Sequence, residues 1–214
     1  MQRIIIYKDT GVSLFYNMML RKELKRILGT GPIQTLDGVE CRTSQWHTMA
    51  DTLIIPGGKS KHYSQQLTGE GNASITNFIK NGGNYLGICA GGYYGCKRIE
   101  FEIGTTNEII KEGNLDLLDC TASGTLYRGS FDESKYHQIP LVFEGKIVDN
   151  VHYLGGCYFD NLPNEIDIIA TYSSFDYKPA IIKFKYGKGT VILSGVHPEM
   201  SPPLLQRLLT SMIS

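Results

Sequence analysis

Residues 84–93 read Asn84-Tyr85-Leu86-Gly87-Ile88-Cys89-Ala90-Gly91-Gly92-Tyr93. The apolar run Tyr85–Ile88 predicts a buried strand. One reactive side chain follows it, and then small residues that allow a helix to start at once. This is the strand–turn–helix setting of a nucleophile elbow, in which a strained backbone lifts the nucleophile above the sheet. Gly87 and Gly91 flank Cys89 at two residues on either side, so GxCxG repeats the GxSxG pattern with sulfur in place of oxygen. A helix N-terminus under the thiol favours thiolate and leaves N–H groups free for an oxyanion. The plainer reading is a buried cysteine at a tight turn.

Upstream, strands alternate with helical patterns. Arg3–Tyr7 is a buried first strand and Asp9-Thr10-Gly11 a turn. Ser13 is placed to cap a helix with Tyr16, Leu20, Leu24 and Ile27 at helical spacing, stopped by Gly29. Ile33–Leu36 and Thr52–Ile55 are further strands, the latter ended by Pro56-Gly57-Gly58. Glu70–Lys80 is a helix. This alternation predicts a parallel sheet covered on both faces.

Downstream the period is less regular. Phe101–Gly104, Thr125–Tyr127, Leu141–Phe143 and Tyr153–Gly156 read as short strands, and Ile166–Tyr172, Ala180–Tyr186 and Thr190–Leu193 as strands in quick succession. Lys185–Gly189 reads as a hairpin turn, and Pro202–Met212 as a closing amphipathic helix. The β-rich part is expected to extend the first sheet or add a small antiparallel one.

Composition excludes several classes. The 214 residues carry 21 Lys+Arg and 21 Asp+Glu, hence no net charge, which argues against a nucleic-acid or anionic-membrane footprint. No apolar run reaches the ~20 residues a bilayer requires, and the N-terminal segment lacks the pattern of a signal peptide. Five cysteines without regular spacing argue against a disulfide scaffold, so the expected compartment is the reducing cytoplasm. CxxC, HExxH, GxGxxG and GxxxxGK[ST] are all missing, so neither a metal nor an organic cofactor is expected.

Two further segments belong with Cys89. Ser194-Gly195-Val196-His197-Pro198-Glu199 follows a strand, which places His197 at a sheet edge where sites assemble. If this segment is extended, His197 and Glu199 point the same way, and the carboxylate fixes the imidazole tautomer. In Ile55-Pro56-Gly57-Gly58, the glycines let backbone N–H groups approach a ligand. One of these N–H groups and that of Ala90 form a candidate oxyanion hole. Taken alone, each segment has an ordinary structural explanation. Cys41, Cys96, Cys120 and Cys157 read as packed residues, Cys96 two turns along the elbow helix, and Asp9 as a turn former. Tyr93 and Tyr94 are the aromatic residues nearest the nucleophile.

PGG after a strand, GxCxG at the elbow and HPE near the C-terminus, in this order, resemble the class I glutamine amidotransferase-like fold. More closely, the chain is similar to the amidotransferase-like N-terminal domain of eukaryotic biotin–protein ligases, which also occurs alone. Residues 7–13 (YKDTGVS), 54–58 (IIPGG), 69–72 (GEGN), 85–94 (YLGICAGGYY), 99–101 (IEF), 186–189 (YGKG) and 194–199 (SGVHPE) carry this likeness. It spans nearly the whole chain as one domain over 1–214, weakest over 105–150, which is expected to form part of the pocket rim.

The resemblance implies a three-layer α/β fold with a flavodoxin-like, mostly parallel sheet. It implies Cys89 as nucleophile, His197 as general base and Glu199 as its orienting acid. Glutamine-hydrolysing members read GxCxGxQ, and Tyr93 stands here in place of the final Gln. No GRGRxG biotinyl-adenylate loop occurs, so ligase chemistry is not expected of these residues. The expected function is a cysteine-dependent hydrolase or amidotransferase-like activity on an acyl or amide substrate, with Gly57, Gly58, Ala90 and Tyr93 lining the site. The alternative is a non-catalytic module that binds a metabolite or a protein partner.

Overall fold

The computed structural model describes residues 3–29 and 31–212. Strand β1 (Ile4–Tyr7) is buried along its whole length. Its side chains alternate between two cores, Ile4 and Ile6 in one and Ile5 and Tyr7 in the other. That is why its sequence is an unbroken apolar run rather than an alternating one. Helix α1 (Leu14–Leu28) follows, with the Ser13 side chain accepting the Tyr16 N–H and Gly29 closing the last turn at φ 62°. Strand β2 (Ile33–Leu36), helix α2 (Gly38–Thr43) and strand β3 (Thr52–Ile55) complete the first third. Asp9 accepts hydrogen bonds from the N–H groups of Thr10 and Gly38, so it ties the turn after β1 to α2.

Helix α3 (Ser60–Lys80) begins ten residues before the start read from the sequence. Its backbone breaks at Thr68, where φ is 54°. The interruption hides the first two turns from any pattern that requires one unbroken helical period. Strand β4 (Asn84–Ile88) leads to Cys89 and to helix α4 (Ala90–Gly95), which is only six residues long. Cys96 therefore opens strand β5 (Cys96–Phe101) instead of lying on the elbow helix.

The remaining strands are β6 (Ile109–Glu112), β7 (Leu118–Gly124), β8 (His137–Phe143), β9 (Lys146–Tyr153), β10 (Tyr158–Asp160), β11 (Asp167–Tyr172), β12 (Lys178–Tyr186) and β13 (Gly189–Ser194). Residues 125–127 and 154–156 form loops, not strands, and Gly104 lies in a turn. Helix α5 (Pro202–Ser211) closes the fold.

The large sheet has the order β2-β1-β3-β4-β13-β12-β11-β8-β9. Its first five strands are parallel, in the order of a flavodoxin-like half. From β13 onward every pairing is antiparallel. The sheet is thus mixed rather than mostly parallel, because hairpins join β8 to β9, β11 to β12 and β12 to β13 where helical crossovers link the first strands. Strands β10-β7-β5-β6 make a second, smaller sheet, in which only β5 and β7 run parallel.

The layers explain the two cores. Helices α1 and α5 cover one face of the large sheet through Leu20, Leu24, Leu204, Leu205, Leu208 and Leu209. On the opposite face α3, α4 and the small sheet pack through Tyr63, Ile75, Tyr94, Ile99 and Ala122. All five cysteines are free and buried. Among the described residues no helix is long and apolar enough to cross a membrane.

A candidate cysteine site at the switch point of the sheet

The strand order reverses between β1 and β3, and in open α/β sheets ligands bind beyond the strand ends at such a crevice. The loops after β1, β3, β4 and β13 all converge there. The first two are knitted together: Ser13 N–H donates to Gly57 O, and Lys59 N–H to Gly11 O. Gly58 has φ 150°, and a side chain there would strike Gly11 O and the Tyr63 hydroxyl. These two loops frame a cleft of about 770 Å³ that also contains Cys89, Ala90, Tyr93 and His197.

Cys89 has φ 50° and ψ −105°, a left-handed backbone that a non-glycine residue adopts only under constraint. The constraint is close packing. A side chain on Gly91 would strike the Ile55 carbonyl, and one on Gly87 would strike the Gly91 carbonyl. Only small residues let α4 sit this near the strands. Cys89 is 6% exposed, and its Sγ lies 3.4 Å from the Leu154 carbonyl oxygen. The first intrahelical bond of α4 is Tyr93 N–H to Cys89 O, so the N–H of Ala90 precedes the helical ladder.

His197 and Glu199 meet by a different route from the extended one. Pro198–Met200 forms a 3-10 turn that brings the Glu199 carboxylate back to the ring. His197 Nδ1 and Glu199 Oε1 are 2.8 Å apart, with both side chains 1% exposed. His197 Nε2 has no hydrogen-bond partner. Gly57 packs between the two candidate groups: a Cβ there would lie 2.8 Å from His197 Cε1 and 3.4 Å from Cys89 Cβ.

Burial opposes a charge on His197. The Glu199 carboxylate and the Cys89 sulfur outweigh it and raise the imidazole to about 10. Cys89 acts on the ring both through its charge and as a neighbouring hydrogen-bonding group, while its Sγ also lies against Leu154 O.

Two side chains of this site escaped the sequence reading. Tyr16, read there as a core residue of α1, stacks on the His197 ring with centroids 3.9 Å apart. Its hydroxyl lies 2.7 Å from His152 Nε2. Burial and the neighbouring His197 lower His152 to about 4, so its ring is neutral at pH 7. The backbone of His152 also accepts the His197 N–H. Nothing in the local pattern of Asn150-Val151-His152-Tyr153 distinguishes that histidine from any half-buried strand residue. The Gly155-Gly156 pair after β9 was a usable signal, because it parallels Gly57-Gly58 after β3.

Tyr93 lines the cleft, but its hydroxyl donates to the Gly156 carbonyl at 2.9 Å and so pins that loop. Tyr94 points away from the site and donates to Asn72 Oδ1. From the weakly matching segment 105–150, Ile109, Lys111, Phe131 and Glu133 reach the cleft. Strands β8 and β9 extend the large sheet instead. Among the described residues no group of three or more His, Cys, Asp or Glu is placed to hold a metal ion.

This arrangement has the architecture of the class I glutamine amidotransferase-like fold. A crystal structure of a glutamine amidotransferase superposes with a TM-score of 0.68 over 97% of both chains, at 19% identity. A cytoplasmic protein of Salmonella typhimurium LT2 superposes with a TM-score of 0.63 over 99% of both chains, at 13% identity. The chain belongs to the family of the biotin-protein ligase N-terminal region, whose model matches residues 2–212.

An uncharacterized protein of Chlamydia muridarum is 32% identical, over 94% of this chain and 82% of that one. The biotin–protein ligase of Schizosaccharomyces pombe is 29% identical, over 92% of this chain. The match covers 33% of that ligase.

Proposed function

We propose that this chain is a cysteine-dependent hydrolase or amidotransferase-like enzyme acting on an acyl or C–N bond. The observation that carries the reading is the His197 ring. Its Nδ1 is held by Glu199, and its Nε2 lies unpartnered in the cleft beside Cys89. An orienting carboxylate, an imidazole and a nucleophile are the parts that covalent acyl transfer requires.

With His197 raised to about 10, the ring carries its proton at neutral pH. Its first task is then to give that proton away. The Cys89 sulfur, attacking as the thiolate, forms a bond to the substrate carbonyl carbon as the carbonyl π pair moves onto oxygen. The oxyanion is held by the N–H of Ala90 and of Gly57 or Gly58, each such donor being worth about 3 kcal/mol. As the intermediate collapses, the bond to the leaving group breaks and Nε2 protonates that group. The neutral ring then takes a proton from water, which resolves the thioester and frees the acid.

A non-catalytic binding module is the second reading, favoured by the Cys89 sulfur lying against Leu154 O and by Tyr93 in place of Gln. Intact-mass spectrometry after exposure to a panel of activated esters and amides separates the two. Enzymatic action requires one acyl adduct per chain on Cys89, absent from Cys89→Ala and turning over slowly in His197→Ala. Failure of every acyl donor to modify Cys89 faster than the free thiol cysteine would leave the binding module.

A further inference from the structure

The cleft has a second, differently built wall. In the small sheet Ile99 faces Lys111 across the β5–β6 pair, and Phe101 faces Ile109. Side chains two apart on a strand share a face, so these four form one array, and all four line the cleft. Phe131 packs edge-on against Phe101, with centroids 5.1 Å apart. Phe101 also meets Tyr93 of the elbow helix, with centroids 6.2 Å apart. The apolar surface therefore runs continuously from the nucleophile's helix to the outer strand. Ile109 is 46% exposed on it, an apolar area with nothing over it.

The charges at this wall do not balance. The cleft is lined by three ammonium groups, Lys59, Lys61 and Lys111, against a single carboxylate, Glu133. Lys59 pairs with Glu133 at 2.9 Å. Neither Lys61 nor Lys111 has an ion pair among the described residues. Lys111 is half-buried on an apolar face, and both its burial and the neighbouring Lys61 disfavour its charge. Lys61 is exposed to water, but at the half-buried Lys111 a bound anion would offset both the burial and the neighbouring cation.

We propose that the cleft selects a substrate with an apolar chain bearing a carboxylate, the chain lying on Ile99, Phe101, Ile109 and Phe131 and the carboxylate between Lys61 and Lys111. This deepens the enzymatic reading, because it names the substrate class for the same cleft. Its evidence, however, is a wall that takes no part in the chemistry.

Calorimetric titration of the full chain carrying Cys89→Ser, with hexanoate, hexanamide and acetate, tests it without turnover. Hexanoate is expected to bind at least about tenfold more tightly than either of the others. Lys111→Met keeps the apolar stem and should weaken hexanoate about fivefold while leaving hexanamide unchanged. Phe101→Ala should weaken both. Lys22→Gln, an exposed charge on α1 outside the cleft, should alter neither. Lys61→Gln, on the exposed first turn of α3, gives the same reading should Lys111→Met fail to fold.

Equal binding of hexanoate and hexanamide, no binding of hexanoate, or a hexanoate preference that survives loss of both lysines would overturn the proposal. Selective hexanoate binding without any acylation of wild-type Cys89 would leave this subsite standing and remove the enzymatic reading. Acylation without carboxylate preference would do the reverse.

Discussion

The Tyr16 ring lies over the His197 imidazole with the two planes 24° from parallel. An aromatic face against a protonated ring is a cation–π contact worth about 0.5–2 kcal/mol, more when desolvated. Tyr16→Leu should therefore lower the His197 pKa by about 0.5–1.5 units, at 1.36 kcal/mol per unit. Tyr16→Phe keeps the stack and removes only the hydroxyl contact with His152, so its shift should be smaller. Titration of the His197 ring by NMR reads both. An unchanged pKa in Tyr16→Leu would make the stack a packing contact only.

Cys89 should be the first thiol to react. It alone among the cysteines lines the cleft. Burial pushes Cys41 up to about 12 and holds Cys96 and Cys157 well above their ordinary range. Limiting iodoacetamide at pH 7 should mark Cys89 at least tenfold faster than the other four, read by peptide mass spectrometry. In His197→Ala that preference for Cys89 should fall, and in Glu199→Gln it should fall less far. Uniform labelling would show that no reactive pair is assembled.

Gly57→Ala probes the same pair sterically. The added methyl group would sit 2.8 Å from His197 Cε1, closer than any ordinary carbon contact. The ring must give way, so the His197-dependent part of Cys89 reactivity should fall about tenfold or more. The melting temperature should change by only a few degrees, because the strain falls on one side chain at the cleft. Retained reactivity would mean that the ring position does not matter.

The two histidines act on stability in opposite pH ranges. His152 titrates at about 4 in the fold against about 6.5 when unfolded, so the unfolded chain binds its proton first. Its contribution is intact above pH 6.5 and is lost as pH falls toward 4, by a few kcal/mol at most. His197 is raised, so its contribution is complete below pH 6.5 and is lost as pH rises toward about 10. Urea denaturation across pH 4–9 should show both limbs, with His152→Gln flattening only the acid one. An acid limb identical in His152→Gln would assign it to carboxylates instead.

Glutamine should be a poor substrate. The Tyr93 hydroxyl is held by the Gly155 and Gly156 carbonyls, so it is not free to recognise a carboxamide. Ammonia release from millimolar glutamine should stay at the level of Cys89→Ala. Saturable, Cys89-dependent release would overturn this expectation.

Much of the frame was legible because it is local. The unbroken apolar runs of β1, β3 and β4 announce strands buried on both faces. Gly87 and Gly91 mark the close approach that forces the Cys89 backbone into its left-handed turn. His197 and Glu199 are two residues apart, so almost any turn between them allows contact. The start of α3 was hidden by the break at Thr68. Residues 125–127 look like strand residues by composition and yet form a loop.

What the amino-acid order determined by itself is the series of strand ends, each carrying its chemistry: Gly57 and Gly58 after β3, Cys89 after β4, His197 after β13. Each follows from hydrophobic periodicity and backbone freedom within a few residues. Only the tertiary structure decided what surrounds them. Tyr16 and His152 are 136 residues apart in sequence and 2.7 Å apart in space. Lys111 owes its place on the cleft wall to the β5–β6 register. The switch from parallel to antiparallel pairing at β13 depends on which edge each hairpin joins. Such contacts depend on packing between distant elements, whose free energy is distributed over many side chains and leaves no periodic trace in any one segment.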